Sequence, residues 1–228
     1  MRIGIICAEP HEAVPFLPMF DKPIITEKAM LKFYQGQIGS SEAIVMCSGI
    51  CKVNAAVATQ ILIDTYKCHI IINSGTAGGI DESLKVFDTV VSTEVAYHDV
   101  SEDILTDSHP CMDSVFFKAD SRLLESAKEV SVNSQPPRRI FFGRMVTGEQ
   151  FIQDSEREEI KKNFTPLSVD METAAVAHVC YVNKIPFIAV RTITDTANHD
   201  GKGNFRHNCE TASRLSADFV KMMLLSPL

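Results

Sequence analysis

Cys68-His69-Ile70-Ile71-Ile72-Asn73-Ser74-Gly75-Thr76-Ala77-Gly78-Gly79 is the stretch whose reading decides the fold. Its first half is apolar and β-branched on consecutive positions, the mark of a strand buried on both faces, so Cys68 to Asn73 is expected as a central strand. Its second half reads as a glycine-rich turn that lets backbone amides and the Thr76 hydroxyl come close to a ligand. The turn lacks the Gly-Lys-Ser/Thr of a P-loop and the spacing of a dinucleotide fingerprint, and no positive charge stands nearby. Taken alone, it is equally well explained as a tight strand-to-helix connection.

Runs of the same kind recur on both sides of it. Ile3 to Ala8, Ala43 to Cys47, Thr89 to Tyr97, Ile140 to Thr147, Leu167 to Met171 and Pro186 to Ile193 read as further strands. Between them Lys52 to Tyr66, Ser121 to Val130, Ser155 to Asn163, Glu172 to Asn183 and Glu210 to Leu225 read as helices. In the last of these Ala212, Leu215, Phe219 and Met223 recur at helical spacing. The alternation predicts an α/β fold in a single domain over residues 1–228, a central mixed β-sheet flanked by helices on both faces. Ligands in such folds sit at the carboxyl ends of strands. The helix from Lys52 to Ile63 is apolar nearly all round, which places it either deep in the fold or in a subunit interface.

Composition bounds the function. The chain has 228 residues, 45% hydrophobic and 22% charged, with a formal net charge of −7. A single soluble domain with a full core is implied, and the acidic balance without a basic run argues against nucleic acid or a membrane surface as partner. Seven scattered cysteines without a C-x-x-C pair suit reduced thiols in a cytoplasmic protein. Six apolar residues after Arg2 are too few for a signal peptide or a membrane span. The histidines show no metal-ligand spacing and no Cys–His nucleophile signature is present, so neither a metal nor a cofactor is expected.

Three more strand ends carry candidate chemistry. Glu172, after Val169-Asp170-Met171, opens an almost wholly apolar helix, where a carboxylate without a partner is costly to bury; a ligand-facing role follows, with Asp170 structural. Arg191 lies inside the apolar run Phe187 to Ile193 and needs a carboxylate, Glu172 or Asp170. The same strand ends at Asp195, by local sequence equally a turn residue. Glu9-Pro10-His11-Glu12 follows the first strand, and its acids acquire meaning from the convergence of the other three ends.

Together with Ser48-Gly49-Ile50, Lys52 to Ala56, Tyr97-His98-Asp99 and Thr147-Gly148-Glu149-Gln150-Phe151-Ile152, these motifs resemble the 5′-methylthioadenosine/S-adenosylhomocysteine nucleosidases of the purine nucleoside phosphorylase-like superfamily, over essentially the whole chain. The resemblance implies hydrolysis of the N-glycosidic bond of a 5′-thioadenosine. Glu12 then activates water, Asp195 assists adenine at N7, Glu172 holds the ribose hydroxyls, and Arg191 holds Glu172. Met171 packs beside the sugar, Phe151 stacks on adenine, and the Ile152 backbone reads its edge. Thr76 lies near the attacking water, and Ile50 and Phe205 line the 5′-thioether pocket. Where phosphorylases commonly carry an Arg for phosphate, this chain has Asn73, so water is the expected nucleophile.

The chain departs from the family pattern at Glu9-Pro10-His11, at Phe87 in place of a Gly, at Asp170 in place of a Glu and at Thr173 in place of a small residue. The segment Ser101 to Asp113 matches the part that closes a neighbouring subunit's site, which points to a homodimer through Leu105 and Pro110. The rival readings are a purine nucleoside phosphorylase, an aminodeoxyfutalosine nucleosidase and a nucleoside-binding protein without turnover.

Overall fold

Along the central strand the side chains alternate between two cores. Ile71 packs with Ile6, Ile44 and Ala189 on one face, and Ile70 and Ile72 pack with Ile3, Ile5 and Val190 on the other. A strand of this kind must be covered on both sides. The computed structural model describes residues 1–133, 139–152, 154–196 and 201–226, with 154–155 and 201–206 as backbone alone. Part of the loop expected between Ser131 and Arg139, and the side chain of Phe205, lie outside the described residues.

Among the described residues the strands are β1 (Arg2–Cys7), β2 (Ile24–Lys28), β3 (Leu31–Ile38), β4 (Ser41–Cys47), β5 (Ile70–Gly79), β6 (Thr89–Tyr97), β7 (Phe117–Lys118), β8 (Ile140–Thr147), β9 (Ser168–Asp170) and β10 (Phe187–Asp195). The helices are α1 (Pro10–Ala13), α2 (Lys52–Asp64), α3 (Glu102–Thr106), α4 (Ser121–Asn133), α5 (Asp154–Phe164), α6 (Thr173–Asn183) and α7 (Gly201–Leu225), with a 3₁₀ segment at Val14–Met19. The sheet runs β10-β6-β8-β9-β5-β1-β4-β3-β2, and β10 also pairs with β5. Strands β5, β10, β6, β8 and β9 therefore close a ring, from which β1, β4, β3 and β2 extend as an open arm. Parallel and antiparallel pairs are both present, as in β1–β5 and β10–β6, so the sheet is mixed.

Helices α2 and α6 cover one face through Ala55, Ala58, Leu62 and Ala174 to Ala177. Helices α4 and α7 cover the other through Leu123, Ala127, Phe219 and Met223. Each large apolar side chain fully buried in this way contributes about 1.5–3 kcal/mol.

The structure overturns one sequence expectation, adds a hairpin absent from the sequence reading and narrows the place of α2. The glycine-rich segment is not a turn: β5 continues to Gly79, paired with β10 from Ile71 to Gly78 and with β9 at Gly78 and Gly79. Its glycines admit close neighbours rather than a bend. The hairpin β2–β3 was not expected. Its connection is Ala29-Met30, both at positive φ (51° and 62°), a geometry usually signalled by Asn or Gly. Helix α2 is only half enclosed: Ala55, Ala58 and Leu62 are buried, but Val53 and Val57 are exposed. Phe87 does occupy the left-handed position of a turn, with φ of 72°, and its amide donates to the Ile193 carbonyl at 2.8 Å.

Candidate active site

Strand β1 leaves β5 at Asn73 and β9 joins it only at Gly78, so part of one edge of β5 carries no ladder. Glu12 enters that gap. The short helix α1 that carries it is started by Pro10 and by a capping box between Glu9 and Glu12. Glu12 is buried, and both its oxygens are engaged. Oε1 accepts from the Thr76 amide at 2.8 Å and the Thr76 hydroxyl at 2.9 Å, and Oε2 accepts from the Ala8 amide at 2.8 Å and the Glu9 amide at 3.3 Å. Gly75 makes this approach possible, since a Cβ there would lie 2.5 Å from Glu12 Oε1 and 2.6 Å from Arg191 Nη1.

Arg191, fully buried on β10, faces three carboxylates: Glu172 at 3.3 Å, Asp170 at 3.5 Å and Glu12 at 3.8 Å. It also donates to Asn73 Oδ1 at 2.8 Å, the Thr76 carbonyl at 3.1 Å and the Thr173 hydroxyl at 3.2 Å. Both candidate partners named from sequence are thus beside it. Asp170 has a structural set of contacts, accepting from the Thr147 hydroxyl at 2.7 Å and from the amides of Glu172 and Thr173 at 3.0 and 2.9 Å. Asn73 is consumed by the fold: its amide donates to the Ile6 carbonyl at 3.0 Å, and its oxygen also accepts from the Thr173 hydroxyl at 2.8 Å. Burial pushes the Glu172 carboxyl up to about 7; Arg191 opposes the rise, and the Asp170 and Glu12 carboxylates add to it.

Asp195 ends β10, buried, with Oδ1 accepting from the Thr194 hydroxyl at 2.8 Å and Oδ2 from Arg157 Nη2 at 2.9 Å. Burial raises its pKa against the pull of Thr194 and Arg157. A protonated carboxylic acid is the form that can donate a hydrogen.

Glu12, Ile50, Thr76, Phe151, Ile152, Met171, Glu172, Arg191 and Asp195 all line one cavity of about 250 Å³. Every site residue named from sequence is thereby brought together, apart from Phe205, which lies outside the described side chains. Two contributors were not anticipated. Arg157 lines the same cavity from α5. Cys51, at φ 79° and ψ 165°, turns its amide onto Glu172 Oε1 at 3.0 Å. Leu105 does not point outward, being 4% exposed within the chain's own core; Ile104 beside it is 51% exposed. Among the described residues no group of three or more His, Cys, Asp or Glu side chains is disposed to hold a metal ion, and no helix is long and apolar enough to cross a membrane.

The cavity lies at the carboxyl ends of β5 and β10, lined by acids and a buried Arg, in a chain whose residues 2–224 match the family model of the phosphorylase superfamily. Within it the chain belongs to the 5′-methylthioadenosine/S-adenosylhomocysteine nucleosidase family. A relative of that name from Exiguobacterium sp. is 37% identical over 225 residues, 96% of each chain. The nucleosidase of Colwellia psychrerythraea, solved in complex with adenine, superposes with a TM-score of 0.90 at 34% identity, covering 98% of this chain and 94% of that one. The futalosine hydrolase of Helicobacter pylori also superposes with a TM-score of 0.90, at 28% identity over 98% and 97% of the two chains.

Proposed function

We infer that this chain is an N-glycosyl hydrolase that cleaves 5′-methylthioadenosine and S-adenosylhomocysteine to adenine and the 5-thioribose, using a single domain over residues 1–228. The observation that carries the reading is the placement of Glu12, Glu172 and Asp195 around one cavity, with a neutral Asn73 already committed to Arg191 and the Ile6 carbonyl.

In this reading Glu12 takes a proton from the water that attacks the ribosyl carbon, while the bond from that carbon to adenine N9 breaks. Asp195 donates its proton to N7, so that adenine departs neutral. Glu172 accepts the ribose hydroxyls, and its charge stabilises the oxocarbenium-like centre. Phe151 stacks on the base, the Ile152 backbone reads its edge, Met171 packs beside the sugar, Thr76 borders the water, and Ile50 and Phe205 face the 5′ substituent. The test is incubation with methylthioadenosine in phosphate-free buffer while free adenine is measured. Adenine release supports hydrolysis; release only with phosphate, with 5-methylthioribose 1-phosphate as the other product, refutes it. Running S-adenosylhomocysteine and aminodeoxyfutalosine alongside ranks the 5′ groups by kcat/KM.

The enzyme is proposed to act as a cytoplasmic homodimer. Val53 and Val57 of α2, Ile104 of α3, and Tyr181 and Val182 of α6 are exposed apolar side chains, and α2 and α6 pack together. An apolar surface of this kind fits a second copy of the chain. Light scattering on the eluting protein tests this, and a monomer at micromolar concentration refutes it. The buried thiols of Cys7, Cys68 and Cys180 suit a reducing compartment.

A further inference from the structure

Arg157 sits on a helix segment, Asp154–Phe164, otherwise dominated by charged residues, yet it is only 5% exposed. Its guanidinium spans two strands: Nη2 donates to Asp195 Oδ2 on β10 at 2.9 Å, and Nη1 donates to the Gly79 carbonyl that ends β5. Phe151 and Ile152, which line the same cavity, lie directly before this helix in the chain. The residue thus ties the end of β5 to the proposed acid, from the helix that follows Phe151 and Ile152 in the chain.

The surroundings of Asp195 give this contact its weight. From β5 the carboxylate has Gly78 beside it, where a Cβ would stand 3.3 Å from Asp195 Oδ2, and from its own strand Thr194, whose hydroxyl donates to Oδ1 and whose carbonyl accepts from Asn208 of α7 at 2.8 Å. Arg157 is the charged side chain that faces it among the described residues. A cation at hydrogen-bond distance favours the ionised carboxylate, whereas the apolar enclosure favours the neutral acid. Both fix where Asp195 holds its proton.

We propose that Arg157 is a positioning residue for Asp195: it fixes the carboxyl beside the end of β5 and sets the pH above which acid-assisted departure of adenine fails. This rests on the reading of Asp195 as the acid. Arg157 makes no proton transfer itself.

The experiment measures kcat/KM for methylthioadenosine from pH 5 to 10 in Arg157→Met, Arg157→Gln and Arg157→Lys, with adenine affinity followed by calorimetry over the same range. Removing the cation is expected to move the alkaline limb, and the pH at which adenine affinity falls, upward by about 1 unit or more. Lys retains the charge and is expected to keep the limb within about 0.5 unit of wild type. Glu12 and Glu172 are unaltered in all three variants, so a role in packing alone would lower kcat without moving the limb. Gln covers the case in which Met fails to fold. An unmoved limb in the folded Met or Gln variant, with Asp195→Asn inactive, overturns the role of Arg157 alone. Wild-type turnover in Asp195→Asn instead overturns the acid assignment beneath it.

Discussion

Replacing Glu172 by Gln should make the protein relatively more stable as the pH rises. The Glu172 carboxyl is raised from 4.5 to about 7, chiefly by burial. The folded chain therefore holds this proton more tightly than the unfolded chain does. The associated stability is complete below about pH 4.5 and is lost as the pH climbs through 7. Between pH 5 and 8 a shift of this size removes about 2–3 kcal/mol from wild type. Gln does not titrate. Arg191 would not be orphaned by the change, because Asp170, Asn73, Thr76 and Thr173 remain beside it. The gap between variant and wild type should thus move in favour of the variant by that amount, or by roughly 5–10 °C in Tm for a chain of this length. Thermal unfolding at pH 5, 6, 7 and 8, at one protein concentration, measures it. A Tm difference that stays constant across that range would refute the reasoning, since no proton uptake would then be linked to Glu172. The same variant should lose about 10- to 100-fold in kcat/KM at pH 8, where the proposed mechanism has wild type present a carboxylate to the ribose hydroxyls.

Glu12→Gln and Asp195→Asn should each lower kcat by at least about 10²-fold in steady-state assays of adenine release, and near wild-type turnover in either removes that residue's role. Gly75→Ala should reduce activity by a similar factor, because its Cβ would stand 2.5 Å from Glu12 Oε1 and 2.6 Å from Arg191 Nη1, displacing both; unchanged kcat would show that the site tolerates the shift. Cys51→Gly should stabilise the fold by about 1–3 kcal/mol in chemical denaturation, since φ 79° with ψ 165° is a glycine conformation, while kcat/KM stays within about twofold because the amide on Glu172 is kept.

The strands around the site were legible because burial on both faces writes itself as consecutive apolar residues; β6 and β8 begin and end where the sequence places them. What was hidden depended on contacts the chain makes at a distance. The glycines of β5 look like a turn locally, and only the arrival of Glu12 and Arg191 against Gly75 explains them as strand. Strand β2 is exposed along its whole length, so it carries no apolar pattern, and its Ala29-Met30 turn carries no Asn or Gly. Arg157 sits among Glu156, Glu158, Glu159, Lys161 and Lys162, and looks like one more solvated charge until the end of β5 is placed beneath it. Glu172 stands out in the sequence because a carboxylate opening so apolar a helix is conspicuous, Glu12 and Asp195 gain meaning only from the convergence of strand ends and the family resemblance, and Cys51 was missed because backbone strain leaves no mark on composition.

The closed ring and the open arm divide the labour of the site. Glu12 arrives from the arm, behind β1, while Asp195 ends ring strand β10, Glu172 follows ring strand β9, and Arg157 stands on the helix behind β8. In the proposed mechanism the side that attacks and the side that lets go belong to different parts of the sheet, joined through β5. The proposed mechanism therefore lets the two be altered separately: exchanging the residues between β8 and β9 is expected to change how the departing base is gripped, and leaves untouched the amides of Ala8 and Thr76 that hold Glu12.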